Sequence, residues 1–289
     1  MSLALPTDFR IDTSRRIPFG KEHAVSRGWT KATGGRPMGV TWHWTATRDL
    51  ATCDRLLGGR APERKGEASA HYAVGRSFAE GVSRYVSLAD RSWHAGVEQK
   101  LRWDGRPSTA RTKGARACIG VETVTIGYAR AGVPAGSDWI EAATPDGRHA
   151  FRVEPWTEEQ IAMMAAVGRE IVARWPEIGP RDHHGHHDLC PAYKQDVLGF
   201  PFARVLRAIY GDPEIPDVWS DVWMPEGRQR MLARLGFDPG PTDGVWGPRS
   251  DAALRAFQTA ADLEVNGWWT TWVSWAAHDS GADSGRGVA

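Results

Sequence analysis

The chain is predicted to form a mixed α/β domain followed by a small three-helix domain. Three observations lead there. Apolar, β-branched runs alternate with a helix-period segment in the long N-terminal part. The stretch Gly211-Asp-Pro-Glu-Ile-Pro-Asp217 is turn-rich and carries two prolines, as a linker would. Charge also shifts there: residues 222–289 hold six Arg against eight Asp/Glu, while the remainder holds 30 basic against 27 acidic residues. The expected division is a large domain over 1–212 with its core at about 36–200, a linker at 213–221, a small domain at 222–280 and a flexible tail at 281–289.

Taken in order, Gly39-Val-Thr-Trp-His-Trp-Thr45 is β-branched and aromatic between glycine and charged punctuation, so it reads as a buried strand. Ser69-Ala-His-Tyr-Ala-Val74 and Cys118-Ile-Gly-Val-Glu-Thr-Val124 read the same way. Thr157-Glu-Glu-Gln160 is a capping-box pattern, and Ile161, Met164, Gly168, Ile171 and Trp175 follow at helical spacing, predicting a helix over 158–175. Three short helices are expected near 226–235, 250–261 and 270–278, around a core of Leu232, Leu235, Trp246, Leu254, Phe257 and Trp272.

Composition excludes several classes. Of 289 residues, 41% are hydrophobic and 25% charged, enough apolar material for a packed core. No apolar run approaches the ~20 residues of a membrane helix, so no integral membrane contact is expected. Net charge is only +1, whereas nucleic-acid binders usually carry a basic excess. Three cysteines at unrelated spacings do not describe a disulfide framework. The N-terminus reaches Asp8 and Arg10 before any long apolar run, so no secretory signal is expected. Fifteen tryptophans suit sugar rings as well as core filling.

The densest chemical signal is Asp182-His-His-Gly-His-His-Asp-Leu-Cys-Pro-Ala-Tyr-Lys-Gln-Asp196, with four of the ten histidines within five residues. Neutral imidazole is a good zinc donor, but adjacent side chains point apart, so a single ion would need ligands from other elements too. Upstream, one strand ends in Trp42-His43-Trp44-Thr45 and another carries Glu122.

This set, ending in Gly185-His186-His187-Asp188…Pro191…Lys194-Gln195-Asp196, resembles the type-2 N-acetylmuramoyl-L-alanine amidases, the zinc family that includes phage lytic amidases and peptidoglycan recognition proteins. The resemblance covers roughly residues 36–200 and implies the mixed sheet flanked by helices of that family. It places one catalytic Zn2+ on His43, His186 and Asp196, a general base at Glu122 and an oxyanion stabiliser at Lys194. Two nitrogens and one oxygen leave a fourth position open, the arrangement of a catalytic zinc site. In a chain with 30 arginines and six lysines, a lysine at 194 fits a compact point charge. Arg91-Ser-Trp-His-Ala-Gly96 resembles the family's cleft wall, so Trp93 and His94, with Trp44 beside the first ligand, are expected to face substrate. His71 is expected to be structural, and His183, His184 and His187 to be loop or second-layer residues. Cys190 stands at the wrong interval for a third ligand. The chain departs from the family at Arg116-Ala-Cys118, at Val197-Leu198 and in the long basic segment from Val97 to Ala117.

Asp243-Gly-Val-Trp-Gly-Pro-Arg-Ser250 and the later Phe257-Gln258 resemble the peptidoglycan-binding module found beside wall hydrolases. Such a module would tether the enzyme to its polymer, and its removal would spare small muropeptides. The resemblance thus implies hydrolysis of the amide between the N-acetylmuramic acid lactyl group and L-alanine, causing cell-wall lysis, by a monomer whose partner is peptidoglycan. It would be made in the cytoplasm and act on the wall after release, as a phage or prophage endolysin does through a holin pore. The alternatives are a non-catalytic peptidoglycan receptor, which would typically lack a zinc ligand, and a bacterial wall-recycling amidase. A zinc D,D- or L,D-peptidase fails on spacing, because Phe78 stands where its aspartate should be.

Overall fold

The computed structural model describes residues 3–58, 68–96 and 114–284. Most of the basic segment from Val97 and residues 285–289 of the expected tail lie outside them. The expected class is the one observed. A six-stranded sheet runs in the order β1(Ile11–Asp12), β5(Val82–Arg84), β4(Tyr72–Val74), β7(Cys118–Thr123), β3(Gly39–Trp44), β10(His183–Gly185). Only β4 and β5 pair antiparallel in it; β4, β7, β3 and β10 are mutually parallel. β2(Val25–Ser26) and β6(Arg91–Ser92), distant in sequence, pair as a two-stranded antiparallel ribbon, and β8(Ile140–Ala143) with β9(Ala150–Val153) forms a short hairpin.

The near-continuous burial of β3 and β7 is what parallel strands covered on both faces require. One face is covered by α3(Glu158–Arg174), whose N-terminus forms the expected capping box: Gln160 N–H donates to Thr157 Oγ1 at 3.0 Å, and Thr157 N–H donates back to Gln160 Oε1 at 3.4 Å. Helix α5(Phe202–Tyr210) lies beside it, and Val167, Ile171, Phe202, Val205 and Leu206 join Val40, Trp42, Ile119 and Val121 in the main core. On the other side lies α1(Leu50–Leu57), capped by Asp49, whose carboxylate accepts from Thr52 N–H at 2.6 Å, and the one-turn α2(Gly114–Ala117) leads straight into β7.

The histidine run departs from expectation. His183 and His184 are not loop residues but form β10, paired with Val40 and Thr41 on β3. Both are fully buried and partnered: His183 Nδ1 accepts from Trp42 Nε1 at 3.2 Å, and His184 Nε2 meets Thr41 Oγ1 at 2.8 Å. His183 Nε2 donates to Tyr210 Oη at 2.9 Å, and that hydroxyl in turn donates to Ile178 O at 2.9 Å. Sequence periodicity misses a three-residue edge strand whose side chains are imidazoles satisfied by distant partners.

The C-terminal helices are α6(Pro225–Arg234), α7(Pro248–Ala260) and α8(Thr271–Ser284), so helix continues past residue 280 where a tail was expected. Leu232, Trp246, Leu254 and Phe257 form their core with Val273 and Ala277, and Leu235 packs at its margin. Trp272 does not join it. Its ring lies 5.4 Å from His184 and packs with Ala95, Cys118 and Leu189 of the larger domain.

That reversal reflects a general feature: the small domain is docked, not strung. In the expected linker, Ile215, Val218 and Trp219 are buried in the main core. Trp275 of α8 enters the same core, edge-on to Trp219 with centroids 5.2 Å apart. Arg228, 4% exposed, donates to Thr144 O at 2.7 Å and Ala143 O at 3.1 Å on the β8–β9 hairpin. Trp269 N–H donates to Pro145 O at 2.8 Å. Truncating a buried aromatic costs about 3–5 kcal/mol. Trp275→Ala is therefore expected to lower the melting temperature of the whole chain, which should unfold in one calorimetric transition. Two separated transitions, with only the smaller shifted, would contradict a shared core.

Candidate metal centre

The centre of the sheet positions the site through register alone. Neighbours in register on parallel strands present their side chains on the same face. His43 on β3 is paired with Glu122 on β7, so the two side chains share one face. On the other side Gly185 pairs with Trp42, and the chain turns directly into the short helix α4(His186–Leu189). His186 therefore arrives beside His43, with ring centroids 4.5 Å apart. All three residues sit at the carboxyl ends of parallel strands, where open α/β sheets place their ligand sites.

Asp196 closes the set. Its Oδ2 lies 3.1 Å from His43 Nδ1 and 2.9 Å from His186 Nδ1. His187 N–H donates to the backbone carbonyl of Asp196 at 2.6 Å, which ties the returning chain to the start of α4. His43, His186 and Asp196 are all buried, and their donor atoms lie within 4.8 Å of one another. Donor–zinc bonds of about 2.0–2.2 Å put tetrahedral donors roughly 3.4 Å apart, close to the separations seen here. Two imidazoles and one carboxylate are a donor set that suits zinc and leaves a fourth position open.

A hydrogen-bond relay fixes the tautomer that a metal needs. His94 Nε2 lies 3.0 Å from the Cys118 carbonyl, which can only accept, so His94 carries its proton there. Its Nδ1 is then an acceptor, and His43 Nε2 donates to it across 2.9 Å. His43 Nδ1 is left with a free lone pair aimed at Asp196 and His186. Burial and neighbouring His43 push His94 well below the usual imidazole pKa, which keeps it neutral. This corrects the expectation for His94: it is 8% exposed, both ring nitrogens are engaged, and it stands behind the site rather than on a substrate wall. Gly120, next to Ile119 on β7, makes the room, since a Cβ there would lie 2.3 Å from the His94 ring. The sequence signal for this was present in Ile119-Gly-Val-Glu122 but could not say what the glycine faces.

The remaining expected residues separate. Strand alternation turns Trp44 to the face opposite His43, and it packs at 6.1 Å from the Tyr128 ring, so it is a packing residue here. Trp93 stays at the surface, 37% exposed, its Nε1 donating to Ser26 Oγ at 2.9 Å. Lys194 is half-buried between the last two donors in sequence, with Nζ 6.0 Å from the centroid of the exposed Tyr193 ring. His71 is structural as expected: Nε2 donates to Asp90 O, while Nδ1 accepts from Gly120 N–H at 3.0 Å.

Electrostatics follow from burying these groups together. Burial, then the charge of Asp196, raises the Glu122 pKa to about 8, against the pull of His186 and Lys194. Burial and the charge on His186 lower His43 to about 4, despite its contact with Asp196. For His186 burial pulls downward, but the Asp196 carboxylate prevails and lifts it to about 9. Asp196 itself is held well below the carboxylate range by the charge and hydrogen bond of His186, against its burial.

Two outcomes are expected. In metal-free protein, Glu122 and His186 bind more protons folded than unfolded above pH 6.5, so stability should fall as pH rises from about 6.5 toward 9. Glu122→Gln should flatten the lower part of that decline in melting temperature measured with chelator present; an unchanged slope would contradict the raised carboxyl pKa. Gly120→Ala should displace His94 and weaken metal binding about 10-fold, the low end of the cost of disturbing residues behind a ligand, as read by chelator competition.

The family model described as N-acetylmuramoyl-L-alanine amidase matches residues 33–196, and one described as a peptidoglycan binding domain matches 228–271. No curated protein matches the chain at a significant level. Similar solved structures include the N-acetylmuramyl-L-alanine amidase AmiD from E. coli, 20% identical with a TM-score of 0.48, covering 86% of this chain and 91% of that one. AmpDh3 from Pseudomonas aeruginosa is 19% identical with a TM-score of 0.44, covering 96% and 98%. The catalytic domain of XlyA is 19% identical with a TM-score of 0.41, covering 68% and 96%. With the amidase model spanning more than half its length and taking in all three converging donors, this chain belongs to the N-acetylmuramoyl-L-alanine amidase family and carries a C-terminal peptidoglycan-binding domain.

Proposed function

We propose that the chain hydrolyses the amide between the lactyl group of N-acetylmuramic acid and L-alanine with a zinc ion held by His43, His186 and Asp196. The observation that carries this reading is the meeting of two Nδ1 atoms and one carboxylate oxygen beside Glu122. When bound, zinc supplies Lewis acidity toward water and an amide carbonyl.

Each side chain then has a definite task. The relay through His94 keeps the His43 lone pair directed into the site. Glu122 takes the proton of the attacking water at its carboxylate and returns it to the departing L-alanine nitrogen. A carboxyl whose pKa environment favours proton retention suits the second half of that task. Lys194, two residues before Asp196, is in this reading the charge that faces the oxygen where negative charge grows. Of the two tryptophans expected to face substrate, Trp93 is exposed at the surface and available for sugar or peptide contact.

The C-terminal domain, residues 222–280 in this reading, raises the local concentration of the site on its polymer. The chain works as a monomer on the wall, reached from the cytoplasm as an endolysin reaches it. No helix among the described residues is long and apolar enough to cross a membrane.

Incubation with purified sacculi, with and without chelator, tests the reading. New free L-alanine amino termini, abolished by chelation and restored by zinc, are expected by mass spectrometry. Intact sacculi with bound protein would favour a silent receptor instead. Glu122→Gln should retain zinc and lose about 10²- to 10⁴-fold in turnover; wild-type turnover in that variant would remove Glu122 as the proton carrier.

A further inference from the structure

Asp188 lies in the Gly-His-x-Asp run, yet no step above uses it. Its carboxylate is buried within the larger domain, two residues past His186. One bond is local: Oδ2 accepts from Gly185 N–H at 2.7 Å, closing the first turn of α4. The others cross the domain boundary. Thr271, the first residue of α8, donates its N–H to Oδ1 at 2.8 Å and its hydroxyl to Oδ2 at 2.9 Å. Thr271 is itself only 3% exposed. A single carboxylate thus caps two helices at once, one bearing a candidate ligand and one belonging to the C-terminal domain.

The two candidate histidine ligands are held differently. His43 sits on a central strand and is braced by His94. His186 is at an edge, on a four-residue helix, and its side chain meets Asp196 and Cys190, both in the segment that follows that helix. Its position therefore depends on the backbone of the Gly185–Leu189 turn, and Thr271 bonds to that turn from outside through Asp188. We propose that Thr271 is a positioning residue for the metal centre, so that docking of the C-terminal domain and metal affinity are coupled. The inference rests on the reading of His43, His186 and Asp196 as metal ligands. By linkage the coupling is reciprocal: metal binding favours the docked domain by the factor by which docking favours the metal. With this coupling, removing the domain should weaken the metal centre as well as wall attachment, so turnover of small muropeptides should fall too.

The test measures zinc affinity by chelator competition on full-length protein. Thr271→Val keeps the volume and the N–H bond but removes the hydroxyl. It should weaken zinc binding about 10-fold, within the range for losing a partner behind a ligand. Asp188→Asn should weaken it at least as much, and Thr271→Ser should stay within about twofold of wild type, in line with its retained donor. Arg181→Ala serves as control, because it breaks the bidentate pair from Arg181 to Asp279 on α8, at 2.7 and 2.9 Å, without touching Asp188; wild-type affinity is expected. Unchanged affinity in Thr271→Val would overturn the coupling while leaving the metal site intact, and an equal loss in Arg181→Ala would overturn Thr271 as the residue that carries it. Failure of wild type to bind zinc would overturn the site reading and this inference together.

Discussion

The Asp196 carboxylate is the constraint around which the rest is organised. It is buried between two imidazole nitrogens that both point at the same oxygen. Buried charge is costly unless it is paired, hydrogen-bonded or bound to metal. Without a cation the site meets this cost by shifting protons: His186 holds one and Glu122 is driven toward holding one. A divalent cation would relieve the same strain by direct coordination. The unusual proton affinities and the fitness for metal are two expressions of one arrangement.

Keeping such a set together demands rigid backing. Three adjacent parallel strands supply it, because hydrogen-bond register leaves no freedom to slide one ligand past another without moving a whole buried strand. Behind them the polar residues are satisfied in chains: Cys118 carbonyl to His94 to His43, and Trp42 to His183 to Tyr210 to Ile178. Such fully partnered buried networks specify one geometry, since each break leaves a buried group unpaired.

The docked C-terminal domain extends that backing. Its helices share the main core through Trp275, insert Arg228 into a hairpin of the catalytic domain and clamp α4 through Asp188. The Arg228 guanidinium, its pKa pulled down to about 9 by burial, is held by backbone carbonyls rather than by a carboxylate partner. A contact of this kind requires fixed geometry, which separates this arrangement from two domains on a flexible linker. The peptidoglycan-binding domain and the candidate metal centre are therefore parts of one folded body.

Local pattern was enough for much of this. The strands at Gly39 and Cys118, the capped helix behind Thr157 and the C-terminal helices were all legible, because burial on both faces and cap chemistry leave periodic traces in nearby residues. The three converging donors were legible through motif spacing, since His43, His186 and Asp196 keep family order with Glu122 and Lys194. What lay beyond the sequence were contacts between residues far apart in the chain. His94 looked like a wall residue and is a brace; Trp44 looked substrate-facing and is turned away; Trp272 looked like module core and packs on His184. The turn-rich segment read as a linker because proline and aspartate mark turns, yet Ile215, Val218 and Trp219 within it are core. The sequence by itself determined which elements form and which side chains can bind a metal, because those depend on local periodicity and residue chemistry. Only the tertiary structure decided which faces meet and which proton sits on which nitrogen, because these depend on partners that sequence distance conceals.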